Sequence, residues 1–361
     1  KVLVRCYKYS EVEKYVKANN IKYELMMDIS EKDDGTVIAE LLEEGTLKIS
    51  GKGKMKDFSN VDEIPWADSK EKIKKVIVEE GVTNIGEKAF EGCGLLTEIE
   101  ISKSVTEIKN SAFSDCKALI NIDVDNNNKS YTSEDGILFN KEKTKIVRYP
   151  SGKTESIYKI PEGVEIIESN AFGNCNTLID IEISKTVTNI KSSAFFDCKK
   201  LININVDNDN ENYTSEDGIV FNKEKTKIVR YPSGKADTIY KIPNGVVAIE
   251  ENAFEGCQSL TEIKIPDKVT RIGIKAFSGC TRLEKVEILG RKTMIERCYK
   301  NSEAEKYAKA NNIKYELIYE ESLSNKIIPK TGKEIILLVG IGAFIGISVL
   351  CYKKYKIECK K

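Results

Sequence analysis

Histidine is absent from the 361 residues, and tryptophan occurs only once. A chain without histidine lacks the commonest general base and the commonest metal ligand, which counts against histidine-assisted hydrolysis and His-ligated metal centres. An excess of charge of one sign is missing too, because 57 basic and 57 acidic residues cancel. With no basic block in the body of the chain, the electrostatic footprint of a nucleic-acid binder is lacking. Ten cysteines are present, but no C-x-x-C pair, which removes a usual zinc-site spacing. No nucleophile and base pairing stands out, so no catalytic residue, metal or cofactor is expected.

Long apolar runs are also scarce, with one exception. From Ile335 to Tyr352 all 18 residues are apolar, small or aromatic. At about 1.5 Å rise per residue they would span roughly 27 Å, enough for a transmembrane helix. Lys353, Lys354, Lys356, Lys360 and Lys361 follow, which places residues 353–361 in the cytoplasm and the preceding chain outside. Ahead of the run stands Ile328-Pro329-Lys330-Thr331-Gly332. Pro329 biases Ile328 away from helix and presents the pentapeptide in extended form.

The dipeptide Ala-Phe recurs with Phe at 90, 113, 172, 195, 254 and 277, giving spacings of 23, 59, 23, 59 and 23. Each Phe is followed three residues later by Cys, at 93, 116, 175, 198, 257 and 280, and three further on by Leu. A fixed period with fixed apolar positions means a repeat solenoid. In one coil Ile99 and Ile101 alternate with Glu98 and Glu100 as a short half-buried strand. Ala112-Phe113 is expected in a helical turn that places the ring between coils.

The 59-residue gaps carry 36 additional residues, and Tyr131–Lys153 is repeated at Tyr213–Lys235 with only Leu138 changed, to Val220. Two β-rich runs flank Asn140-Lys141-Glu142-Lys143-Thr144, so a hairpin insertion is expected to protrude from or widen the solenoid. Arg5–Leu25 is likewise repeated at Arg297–Leu317, with three differences. Together with the missing initial Met and secretory signal, this predicts a chain that begins inside a longer array.

The expected organisation is therefore a closing cap of an upstream array at 1–26, a β cap at 27–72 and the solenoid at 73–290. A cap helix and strand at 291–319 follow, the helix opened by the capping box Ser302 and Glu305. Residues 320–334 form a linker, 335–352 the transmembrane helix and 353–361 the basic tail.

Six cysteines at one solenoid address are expected as small buried side chains. A redox role for this ladder is the alternative. Asp207-Asn208-Asp209-Asn210-Glu211 could supply calcium ligands, but the first copy, Asp125-Asn126-Asn127-Asn128-Lys129, is poorer in carboxylates, and a structural turn is the preferred reading. Stacking aligns Glu98, Asn121, Asp180, Asn203, Glu262 and Lys285 in one outward row and Glu100, Asp123, Glu182, Asn205, Lys264 and Glu287 in the next. This ribbon of carboxylates and amides is the candidate ligand-binding face.

The pattern running from Ile263 through Ile265-Pro266-Asp267-Lys268-Val269-Thr270-Arg271-Ile272-Gly273 to Ala276-Phe277 and Cys280 resembles the bacterial leucine-rich-repeat family called BspA-like. The resemblance covers about Gly35 to Leu317 and implies a surface-exposed binding protein of leucine-rich-repeat type, not an enzyme. The ending, with Ile328 in place of the usual Leu, resembles the LPXTG cell-wall sorting signal of Gram-positive surface proteins. That resemblance implies cleavage between Thr331 and Gly332 by a sortase and transfer to peptidoglycan. The expected function is recognition of a host or bacterial surface protein or glycan from the cell wall, as an adhesin or interaction module. The alternative is a stalk displaying an upstream domain, an enzyme among the options.

Overall fold

The computed structural model describes residues 4–21, 23–42, 44–288, 294–299 and 314–318. The pentapeptide, the apolar run, Ser302 and Glu305 lie outside them. Among the described residues no helix is long and apolar enough to cross a membrane. The chain divides into two compact units, one within Lys1–Glu155, Gly163–Thr177 and Asn189–Phe195, the other within Ser156–Glu162, Leu178–Thr188 and Phe196–Lys361. Each is a parallel β-solenoid of stacked coils.

In the first unit a seven-stranded sheet runs Val4–Tyr7, Tyr23–Asp28, Ser30–Leu41, Thr46–Met55, Lys75–Val78, Glu98–Ile101 and Asn121–Val124. Its opening strands flank the helix Glu11–Ala18. Ser10 caps that helix by accepting from the Glu13 N–H at 3.1 Å, while the Tyr9 N–H donates back to the Glu13 carboxylate. The back-donating N–H is that of Tyr9, one residue before the cap, while the Ser10 N–H donates to the Tyr7 carbonyl at 3.1 Å, so the box is closed one residue early. From Lys75 onward the strands are parallel, with Ile99 opposite Val76 and Ile122. Their alternation turns Ile99 and Ile122 into a core and leaves Glu98 and Asn121 partly exposed.

The segment around each Phe is not helical, contrary to expectation. It is a succession of tight turns, because in five of the six segments the chain enters the left-handed region on both sides of the ring, as where Lys88 (φ 58°) and Gly92 (φ 76°) bracket Phe90 and Ser111 (φ 59°) and Asp115 (φ 56°) bracket Phe113, and around Phe195 it does so at Asp197 (φ 51°). A right-handed helix cannot pass through two such residues in five. The coils are instead tied by hydrogen bonds between them, such as the Phe90 N–H to the Ala112 carbonyl at 2.9 Å. The rings stack as expected, with centroids 6.0 Å apart for Trp66 and Phe90 and 6.1 Å for Phe90 and Phe113.

The expected hairpin forms, Ile137–Asn140 pairing antiparallel with Lys145–Arg148 around residues 140–144. Tyr131–Glu134 adds a second hairpin with Ile137–Asn140, and Lys145–Arg148 also pairs in parallel with Ile166–Ile167 as a coil strand does, which the sequence did not foretell. Tyr149 then takes the place of a ladder Phe. Its N–H donates to the Ala171 carbonyl at 2.7 Å, and its ring stacks on Phe172 at 5.3 Å. Tyr231 does the same in the second unit with Ala253 and Phe254. Each insertion thus completes a further coil rather than only protruding.

Two devices seal this arrangement. The hairpin covers the edge of the strand Asn121–Val124: the Ile122 N–H donates to the Gly136 carbonyl at 3.0 Å, and the Val124 N–H to Ser133 Oγ at 3.0 Å. In addition, the chain at Gly152 passes so close to the preceding coil that a Cβ there would lie 2.5 Å from the Ala118 carbonyl carbon. Gly152→Ala should therefore lower the thermal midpoint by several degrees, whereas Gly163→Ala, where a Cβ meets nothing within 4 Å but φ is +93°, should cost about 1 kcal/mol from backbone strain alone. Differential scanning calorimetry of the two variants compares crowding with strain.

The cysteine ladder is buried. Cys6, Cys93, Cys116, Cys175, Cys198, Cys257 and Cys280 are all buried free thiols; Cys298, Cys351 and Cys359 lie outside the described side chains. Cys116 Sγ donates to the Phe90 carbonyl at 3.1 Å and Cys280 Sγ to the Phe254 carbonyl at 3.0 Å. Burial pushes the Cys93 thiol up to about 12 and raises Cys116 and Cys257 as well. Since the thiolate is the nucleophile, these positions should resist iodoacetamide in the folded protein and react on denaturation, as peptide mapping by mass spectrometry would show. The folded value of Cys93 exceeds the ordinary 9.0. Its contribution to stability is therefore complete below pH 9 and lost as the pH rises towards 12.

Candidate functional site

The candidate face is built by the outward positions of the four-residue parallel strands, and the pairing register fixes which residues are neighbours. In the first unit Lys75, Glu98 and Asn121 stand side by side, and so do Ile77, Glu100 and Asp123. In the second unit one sheet aligns Ile157, Asp180 and Asn203, then Lys159, Glu182 and Asn205. Its other sheet aligns Ile239, Glu262 and Lys285, then Lys241, Lys264 and Glu287. All twelve expected residues occupy outward strand positions, but the two rows come as three separate stretches. The hairpin accounts for the break, because it occupies the edge on which the next strand would pair.

Of the basic members of these rows, sequence reasoning placed Lys264 and Lys285 but missed three others. Lys75, Lys159 and Lys241 lie on coils that lack the Ala-Phe-x-x-Cys signature. A spacing signal was nonetheless present, since Tyr149 precedes Phe172 by 23 residues and Tyr231 precedes Phe254 by 23. The lysines, missed and expected alike, set the electrostatics. Lys75 Nζ lies 3.5 Å from Glu98 and pairs more closely with Glu100, and that hydrogen bond raises its pKa. Lys285 donates to Glu262 at 2.8 Å and lies 3.4 Å from Glu287. The bond from Lys285 pulls the Glu262 carboxyl below the ordinary carboxylate value. Asn203 Nδ2 donates to Asp180 Oδ1 at 2.6 Å. The ribbon is thus laced with its own ion pairs, each worth little at a solvated surface. Asp123, Glu182, Asn205 and Lys285 are the exposed members among the twelve, Glu182 making only a long pair with Lys159 at 3.9 Å.

The calcium-like loops have a structural use. Asn210 is completely buried; its Nδ2 donates to the Ser184 and Val187 carbonyls, both at 2.9 Å, and its Oδ1 accepts from the Asn212 and Tyr213 N–H groups, both at 2.8 Å. Asn128 repeats the pattern with Ser102, Val105, Ser130 and Tyr131. The amide oxygen that a cation would need is already committed to backbone donors. Among the described residues no cluster of three or more potential metal ligands occurs.

The repeat itself is matched by the model of the BspA type leucine-rich repeat region, in six copies, over residues 67–159, 149–239 and 233–337. The chain belongs to this family. Among solved structures, the BspA type repeats here are similar to a leucine-rich repeat protein from Eubacterium ventriosum, with 26% identity over 72% of this chain and 71% of that one and a TM-score of 0.48. A leucine rich cell surface protein from Faecalibacterium prausnitzii is 22% identical over 75% of this chain and 82% of its own, with a TM-score of 0.37. The pneumococcal vaccine antigen PcpA is 18% identical over 81% and 78%, with a TM-score of 0.42. Among curated proteins none matches.

Proposed function

We propose that this BspA type repeat chain is an extracellular surface protein that recognises a host or bacterial surface protein or glycan non-covalently through its outward strand positions. The observation that carries the reading is the register of the parallel strands, which sets polar side chains in rows at the regular spacing of a sheet, about 4.8 Å. A partner with its own repeated donors or charges can engage several members at once. In this reading Ile328, Pro329, Lys330, Thr331 and Gly332 are recognised by a sortase, Thr331 is joined to peptidoglycan, and the run 335–352 holds the precursor in the membrane with its basic tail in the cytoplasm. No enzymatic activity is part of the proposal.

The stalk reading is favoured by one observation, the pairing of Lys75 with Glu98 and Glu100 and of Lys285 with Glu262 and Glu287, which neutralises much of the face from within. A binding panel of matrix proteins, mucins and bacterial surface glycans separates the two. Saturable binding that drops at least tenfold in an Asp123→Lys, Glu182→Lys variant of unchanged circular dichroism is expected of an interaction module. Binding to no member of the panel would favour the stalk.

A further inference from the structure

A cavity of about 390 Å³ lies within the first unit, beside the hairpin and away from the strand rows. That volume falls in the range of roughly 300–1,000 Å³ typical of small-ligand clefts. Its lining combines three cations, Lys109, Lys145 and Arg148, with hydroxyls and amides such as Tyr131 and Asn140, and one carboxylate, Glu168. Lys109 is already paired, with Glu107. The other two cations are unusual. Arg148 is only 4% exposed, yet its guanidinium is held only by neutral groups: Nη1 donates to the Asn170 carbonyl at 2.6 Å, and Nη2 to the Gly173 carbonyl at 3.0 Å and to Ser151 Oγ at 3.5 Å. Its Nε finds no acceptor in the described structure. Neither Arg148 nor Lys145 forms an ion pair among the described residues, whereas their counterparts in the second copy do. Arg230 Nη1 lies 3.7 Å from Glu255, and Lys227 Nζ 3.6 Å from Glu250.

The contrast is informative because Tyr131–Lys153 and Tyr213–Lys235 differ at a single residue. The same arginine is buried in both, but where the second copy supplies Glu255 the first has Gly173. A buried cation without a counter-charge is costly, and the cost is relieved by an anion. The hydroxyls, amides and single carboxylate around it suit a ligand that also carries hydroxyl groups.

We infer that this cavity is a subsite for a carboxylated sugar, a hexuronate residue whose carboxylate meets Arg148 and Lys145 and whose hydroxyls meet the polar lining. The inference is independent of the strand-face reading and stands or falls separately.

The test is isothermal titration of the full chain with methyl β-D-glucuronide, methyl β-D-glucoside and sodium sulfate. Saturable binding of the glucuronide, at least tenfold tighter than of either other probe, is expected. Gly173→Glu supplies the carboxylate that the second copy carries naturally, so it should leave the fold intact and weaken glucuronide binding at least tenfold; Lys145→Gln should weaken it severalfold. Equal binding of the glucoside, sulfate binding as tight as the glucuronide, unchanged binding in both folded variants, or no saturation by any probe would each overturn the assignment.

Discussion

Replacing Phe254 by Ala should destabilise its unit by about 3–5 kcal/mol, the usual cost of deleting a buried aromatic ring. Phe254 is completely buried, with its ring centroid 5.1 Å from Tyr231 and 5.3 Å from Phe277. Truncation removes these two ring contacts and a third with Tyr240 at 5.8 Å, as well as apolar area. Because each coil in a solenoid depends on its immediate neighbours, the loss should be concentrated near the mutation rather than spread evenly. Hydrogen exchange should show protection falling first in the strands Ala248–Ile249 and Glu262–Ile265. Phe196→Ala is the control: that ring is 39% exposed, and its removal should change the urea midpoint little. Equal effects of the two substitutions would mean that the ring ladder does not organise the core.

Asn210→Ala should cost about 3 kcal/mol or more, although it removes a small polar side chain. Two buried carbonyls and two N–H groups lose their partner together, and each unsatisfied buried group costs roughly 1–3 kcal/mol before relaxation. Asn210→Asp gives the sharper test. It keeps the acceptor for Asn212 and Tyr213 but turns a negative charge towards the Ser184 and Val187 carbonyls. Burial beside those carbonyls raises the folded pKa of the introduced carboxyl above its unfolded value of about 3.9. Its protonated form is then favoured by folding, so the deficit relative to the parent protein should be smallest below pH 4 and grow as the pH rises through the folded value. Urea unfolding of both proteins at pH 4 and pH 7 checks the sign.

The solenoid was legible because Phe, Cys and Leu recur at fixed offsets, and such recurrence has no cheaper explanation than stacked coils. Strand register followed from the alternation of Ile99 and Ile101 with Glu98 and Glu100. The turns were misjudged because Ala-Phe is compatible with helix, while the residues that forbid it, Lys88, Ser111, Asn170, Asn252 and Lys275, share only their left-handed backbone. That property belongs to conformation rather than to residue type. The additional coils escaped notice because Tyr149 and Tyr231 are followed by Pro-Ser-Gly instead of x-x-Cys, so a search keyed on cysteine passes over them. Lys159 and Lys241 went unseen for the same reason, and Lys75 because it precedes the first Ala-Phe-x-x-Cys. The cavity at Arg148 could not be found in one copy alone: its signal is the difference between Gly173 and Glu255 in two otherwise nearly identical settings.

The hairpin that covers a sheet edge bears on how such a chain can change length. Repeats that end in an open edge cannot be cut or copied at arbitrary points without creating a sticky strand. In this protein the edge strand Asn203–Val206 is covered as Asn121–Val124 is, the Ile204 N–H donating to the Gly218 carbonyl at 2.9 Å and the Val206 N–H to Ser215 Oγ at 2.9 Å. The 82 residues separating Phe90 from Phe172 and Phe172 from Phe254 therefore constitute a cassette that brings its own protection. Recombination in whole cassettes would lengthen or shorten the protein without generating an aggregation-prone intermediate form, whereas gain or loss of a single 23-residue coil would misplace the cover. Natural length variants should accordingly differ by multiples of the longer period.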